Sequence, residues 1–91
     1  MNARTTFKTN NAERYLGTLC KHFGHKVSVQ MDGDRGQIEL PFGQCDLAAS
    51  DDALQIEVSA ETKGDLDKTA RVIASHLERF AFRENPQIEW Q

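Results

Sequence analysis

The spacing of apolar residues changes period twice along this chain, and that order is its strongest constraint on fold. Ala12, Tyr15, Leu16, Leu19, Cys20 and Phe23 fall on one helical stripe. From Val27 to Ala60 the period drops to two: Val27, Val29 and Met31, then Ile38, Leu40 and Phe42, then Cys45, Leu47 and Ala49, then Leu54, Ile56, Val58 and Ala60. Leu66, Ala70, Ile73, Leu77 and Phe80 restore the helical spacing. Every segment thus has one apolar face, and a helix stripe and a sheet face of this kind bury each other.

Local signals place the boundaries. Thr5 to Lys8 suits a short first strand, and Asn10 with Glu13 three residues on has the form of a capping box. Gly24 stops the first helix as a residue suited to the left-handed conformation. Asp32-Gly-Asp-Arg-Gly36, Gly43-Gln44 and Ser50-Asp51-Asp52 supply turns, while Pro41 points to a bulge or an edge because it lacks a ladder amide. Thr62 and Asp65 cap a second helix running to about Arg83, Asn85-Pro86 breaks it, and Ile88 and Trp90 alternate as a last short strand. The expected fold is α+β: one domain over residues 1–91, order βαββββαβ, a two-layer α/β sandwich with two helices on one face of a mainly antiparallel sheet. Parallel crossovers in the two βαβ units make the helices antiparallel, with Cys20, His22, His25 and Cys45 at one end and His76 nearer the other.

Composition removes several functions. The chain of 91 residues carries eleven Lys plus Arg against fourteen Asp plus Glu, a formal charge of −3, which opposes general nucleic-acid binding. Side-chain alternation puts Ser28, Gln30, Gln37, Glu39, Asp46, Gln55, Glu57, Ser59, Gln87 and Glu89 on the open sheet face. That polar, acidic surface lacks the aromatics and cations that grip bases. No apolar run approaches the ~20 residues of a membrane span, and the first residues show no signal-peptide core, so the expected location is cytoplasmic. Phosphate-loop, zinc-helix, nucleophile-elbow and paired Cys-x-x-Cys motifs are missing, so no cofactor and no catalytic residue is assigned. Asp32 to Gly36 lacks the closing half of a calcium loop and reads as a turn.

Two kinds of site remain. Lys21, His22, His25 and Lys26 gather at the end of the first helix, where exposed carbonyls favour cations and where an anion could also be met. Arg79, Phe82 and Arg83 form a second group. Phe82 lies about 200° round the helix from Phe80 and either anchors a partner or an anionic aromatic ligand, or folds back onto Trp90 as the last turn unwinds. Arg79, Phe82 and Arg83 are therefore one candidate contact surface and His22, His25 and Lys26 another. The alternative is a zinc or iron site built from Cys20, His25 and Cys45, with His22 as a further donor. Against it, Cys20 points into the apolar stripe and His22 lies about 160° away at about 100° per residue, which leaves two buried thiols acting as small hydrophobes and two solvated histidines. A disulfide is disfavoured because packed layers lie roughly 10 Å apart.

Four segments together, Leu19-Cys-Lys-His-Phe-Gly-His-Lys26, Asp51-Asp-Ala-Leu-Gln-Ile-Glu-Val58, Ser75-His-Leu-Glu-Arg-Phe-Ala-Phe-Arg-Glu84 and Ile88-Glu-Trp90, resemble a bacterial family designated domain of unknown function 2218. The resemblance spans nearly the whole chain. It implies a small stand-alone bacterial domain, in some relatives joined to or encoded near flavin-dependent siderophore-interacting proteins that release iron by reduction. It brings no catalytic residues. The function this suggests is a non-catalytic accessory domain that contacts a partner protein, such as a siderophore-interacting flavoprotein, or an anionic ligand.

Overall fold

A computed structural model describes residues 1–91. The elements are β1 (Asn2–Lys8), α1 (Ala12–Phe23), β2 (Ser28–Asp32), β3 (Arg35–Leu40), β4 (Gly43–Ala49), β5 (Ala53–Ser59), α2 (Lys63–Phe80) and a single 3-10 turn at Phe82–Glu84. The five strands form one sheet in the order β1-β5-β4-β3-β2, and every neighbouring pair is antiparallel. β2 to β5 are thus a meander, and β1 joins beyond β5. The chain then crosses under the whole sheet through α1, from the β1 edge to the β2 edge. The final segment adds one pair of ladder bonds: the backbones of Arg4 and Gln91 exchange bonds of 3.0 and 2.8 Å. Ile88 and Trp90 pack half-buried against the core on the way.

Both helices cover the same face. Cys45, Leu47 and Ala49 on β4 and Leu54, Ile56 and Val58 on β5 are buried there, together with Ile38 on β3 and Thr5 and Phe7 on β1. α1 meets them with the six residues of its stripe, and α2 with Thr69, Ala70, Ile73 and Leu77. Two glycines let the layers close. A Cβ on Gly36 would lie 2.7 Å from the Cys20 Sγ, and one on Gly43 would lie 2.8 Å from the Ser59 carbonyl oxygen and against Thr69 Oγ1. Cys20 therefore seats as a knob in a notch of β3, and Thr69 does the same over β4.

Several boundaries differ from expectation for identifiable reasons. The β3–β4 turn falls on Pro41-Phe42, not Gly43-Gln44, because Leu40 already pairs with Gly43 and the proline cannot extend the ladder. Phe42 leaves the sheet and lies beneath the Lys68 ammonium, 4.4 Å from its ring centroid. Asn10 caps nothing: Asn11 is the N-cap of α1 and its side chain reaches Glu84 instead of the helix. Gly24 has φ −62° and stays right-handed, with its N–H on the Cys20 carbonyl. The second cap holds, with the Asp65 N–H donating to Thr62 Oγ1 at 3.1 Å.

Candidate functional site

The two helices lie side by side on the sheet, and their lengths decide which side chains meet. α1 has 12 residues and α2 has 18, so α1 overlaps only the second half of α2. Their contacts run in opposite directions: His22 and Phe23 meet His76, while Asn11 and Tyr15 meet Glu84. His76 therefore does not sit at the end away from His22, as expected. The ring centroids of His22 and His76 are 4.8 Å apart, those of Phe23 and His76 also 4.8 Å, and Phe80 closes the group 5.7 Å from His22.

His22 is half-buried in this aromatic cluster and not freely exposed. Its pKa is lowered, first by loss of water and then by the positive or protonatable neighbours His76, Lys26, Arg79 and His25. His76 Nδ1 lies 2.7 Å from the Val72 carbonyl oxygen; a carbonyl can only accept, so this nitrogen carries the hydrogen. The packing of His22 on His76 and Phe80 brings together the two groups read separately from sequence: the end of α1, with His22, His25 and Lys26, lies against the stretch of α2 that carries Arg79.

Beyond Arg79 the helix does unwind, yet Phe82 does not fold inward. It stands 67% exposed on the 3-10 turn, with the Arg83 guanidinium 5.7 Å from its ring centroid. Between this turn and α1 runs a groove of about 540 Å³ lined by Arg14, Tyr15, Thr18, Phe80, Phe82 and Arg83. At its end the Tyr15 hydroxyl and the Asn11 amide both donate to the Glu84 carboxylate, the latter at 3.1 Å. Tyr15 foremost among its partners holds the Glu84 carboxyl below the usual range, and Glu84 in turn pushes the buried Tyr15 phenol up. The groove wall is thus a fixed carboxylate and the rest of its rim is cationic and aromatic.

The residues proposed as metal ligands do not come together. Cys20 and Cys45 are free thiols buried beneath α1, with both pKa values raised by desolvation, and His25 is exposed. No group of three or more His, Cys, Asp or Glu side chains is placed to hold an ion. The open sheet face also differs from its expected character. Arg4 and Arg35 stand among its carboxylates, and Arg4 pairs with Glu57 at 3.3 Å, because β1 and β3 begin earlier than their apolar residues suggested. Asp46 is occupied by amides from Gln37 and Gln44 at 3.2 and 3.4 Å. No helix is long and apolar enough to cross a membrane.

Residues 4–91 match the model of a family described as an uncharacterized protein conserved in bacteria, DUF2218. The chain belongs to this family. It is also similar to a protein of known structure, described as the NMR structure of PA4090 from Pseudomonas aeruginosa. The two are 33% identical with a TM-score of 0.84, over 99% of this chain and 94% of the other. No match was found among curated proteins. Within this DUF2218 domain, Tyr15, Asn11 and Glu84 are the site members that sequence reasoning missed. A carboxylate just past a helix end and a tyrosine on a core stripe signal nothing locally, since Tyr15 and Glu84 stand 69 residues apart and only the pairing of the helices joins them.

Proposed function

We propose that this DUF2218 domain is a non-catalytic binding module in iron or siderophore handling. Its helix face takes an anionic aromatic group, free or carried by a partner protein. Phe82 supplies an uncovered ring, Arg83 supplies charge beside it, and Arg79 with His22, His25 and Lys26 extends the cationic surface towards the end of α1. The observation that carries this reading is the exposure of Phe82, 67%, beside Arg83 at the mouth of the groove. A phenyl ring left in water beside a guanidinium gains most by stacking on a flat anion. The family resemblance supplies the iron context and makes a siderophore-interacting flavoprotein the protein partner to try first.

The test is a titration of labelled protein with 2,3-dihydroxybenzoate, followed by amide and aromatic chemical shifts. Saturable shifts at Phe82, Arg79, Arg83 and His22, lost in Phe82→Ala, are expected. Shifts confined to the sheet face, or no saturation up to about 10 mM, the range of the weakest specific sites, would overturn the reading. A second titration with a siderophore-interacting flavoprotein should move the same residues if the anion is presented by a protein.

A further inference from the structure

The open face of the sheet holds a hollow whose plan is fixed by the strand register. Thr6, Gln55, Ala48 and Arg35 lie in one cross-strand row, each directly opposite the next, and Arg4, Glu57, Asp46 and Gln37 form the neighbouring row. Adjacent strands stand about 4.8 Å apart, and successive positions on one face of a strand about 6.8 Å. Ala48 is the one side chain of these two rows too short to rise from the sheet. A hollow of about 310 Å³ opens above it, walled by Arg4, Thr6, Arg35, Asp46, Gln55 and Glu57. Past Arg35 it continues towards β2 as a trough of about 530 Å³, where Gln30, Asp32 and Gln37 join the lining.

The charges around this hollow do not balance one another. Asp46 and Glu57 stand directly opposite across β4 and β5, an arrangement that costs free energy when both are ionised. Arg4 donates to Glu57 Oε2 at 3.3 Å, and Asn2 donates to the same oxygen at 3.0 Å, which leaves Glu57 Oε1 free. Asp46 is met only by the neutral amides of Gln37 and Gln44. Arg35 forms no ion pair, since the pairs of this chain are Arg4 with Glu57 and Lys63 with Asp67. A carboxylate without a cation and a guanidinium without an anion therefore face one hollow, and Ala48 keeps the space between them open.

We infer that this hollow is a binding site for a free α-amino acid, whose ammonium group lies between Asp46 and Glu57 and whose carboxylate lies on Arg35. The signs of the charges select the ligand class. A simple anion would meet two carboxylates and a metal cation would meet two guanidiniums, whereas a small zwitterion sets each of its charges against the opposite one. The amide of Gln55 stands across Ala48 from Arg35 and offers a further polar contact. The ligand's own side chain extends into the trough, where the carboxamides of Gln30 and Gln37 suit a polar group of the same kind. This site lies on the sheet face opposite both helices and does not depend on the reading of the Phe82 groove.

The test is a chemical-shift titration of the labelled protein with L-glutamine and with two trimmed probes: N-acetyl-L-glutamine, which lacks the ammonium charge, and L-glutamine amide, which lacks the carboxylate. L-Glutamine is expected to give saturable shifts at Arg35, Ala48 and Gln55 with a Kd of about 1 mM or tighter, and each trimmed probe should bind about tenfold more weakly. Arg35→Gln should erase the difference between L-glutamine and its amide. Asp46→Asn combined with Glu57→Gln should erase the difference between L-glutamine and the acetylated probe, with circular dichroism confirming that each variant is folded. Ala48→Leu should fill the hollow and abolish binding. The inference is overturned by an absence of saturation up to about 10 mM, by shifts on the helix face alone, by trimmed probes that bind as tightly as L-glutamine, or by unchanged binding in Ala48→Leu.

Discussion

Substituting Gly36 by Ala is a direct test of how α1 seats on the sheet. The new methyl would stand 2.7 Å from the Cys20 Sγ, against about 3.5–4.0 Å for a relaxed contact, so something must move by about 1 Å. The helix cannot lift freely, because Leu16 and Leu19, on the same stripe as Cys20, are 1% and 0% exposed. Overpacking of this kind costs about 1–3 kcal/mol, and replacing a strand glycine returns about 0.5–1 kcal/mol, for a net loss of about 1–2 kcal/mol. For a domain of this size the midpoint of thermal unfolding should fall by about 5–15 °C. The informative comparison is the double variant. Cys20→Ala alone leaves a small void and costs about 1–2 kcal/mol. With Sγ gone, the methyl introduced at position 36 fills that void, so Gly36→Ala should be neutral or stabilising in the Cys20→Ala background. A thermal or urea double-mutant cycle reads the coupling. Equal destabilisation by Gly36→Ala in both backgrounds would refute the notch, and with it the assignment of Cys20 to packing.

Three further outcomes follow from the site. The His22 pKa is lowered on folding, so the folded state prefers the neutral ring: stability is highest above the unfolded value near 6.5 and declines as pH falls below it, a slope that His22→Gln should flatten in urea titrations at successive pH values. Tyr15→Phe should cost about 1 kcal/mol by removing the bond to Glu84, and because the Glu84 carboxyl is held below its unfolded pKa, the stability it provides is complete above that value and disappears with acid, so Glu84→Gln should flatten the acid limb. Both thiols are buried with raised pKa values, so Cys20 and Cys45 should react with a thiol reagent only at the rate of unfolding; fast reaction of either in native buffer would contradict their placement.

The two-layer arrangement was legible because the apolar period is unambiguous. All six stripe residues predicted for α1 are buried, and so are the inward positions of β4 and β5. What escaped was decided by position in space. Phe42 continues the alternation on paper but is expelled by Pro41. Arg4 and Arg35 precede the first apolar residue expected of their strands, so the open face carries more positive charge than its apolar pattern could tell. The place of His76 escapes because antiparallel helices of unequal length meet over the shorter one, and nothing in either helix's own sequence states that overlap. The candidate site was half legible for the same reason: its charged and aromatic members stand out as two groups, and only the helix pairing makes them one surface with Tyr15 and Glu84 at its end.

The measurement that bears most directly on that surface pairs stability with binding in one variant, Phe82→Ala combined with Arg83→Ala. Both side chains are exposed, and neither takes part in the core, so the melting temperature should stay within about 2 °C of wild type, the range of surface substitutions. Binding of 2,3-dihydroxybenzoate should be lost. A large fall in melting temperature would assign Phe82 to the fold, and retained binding at an unchanged melting temperature would remove it from the site.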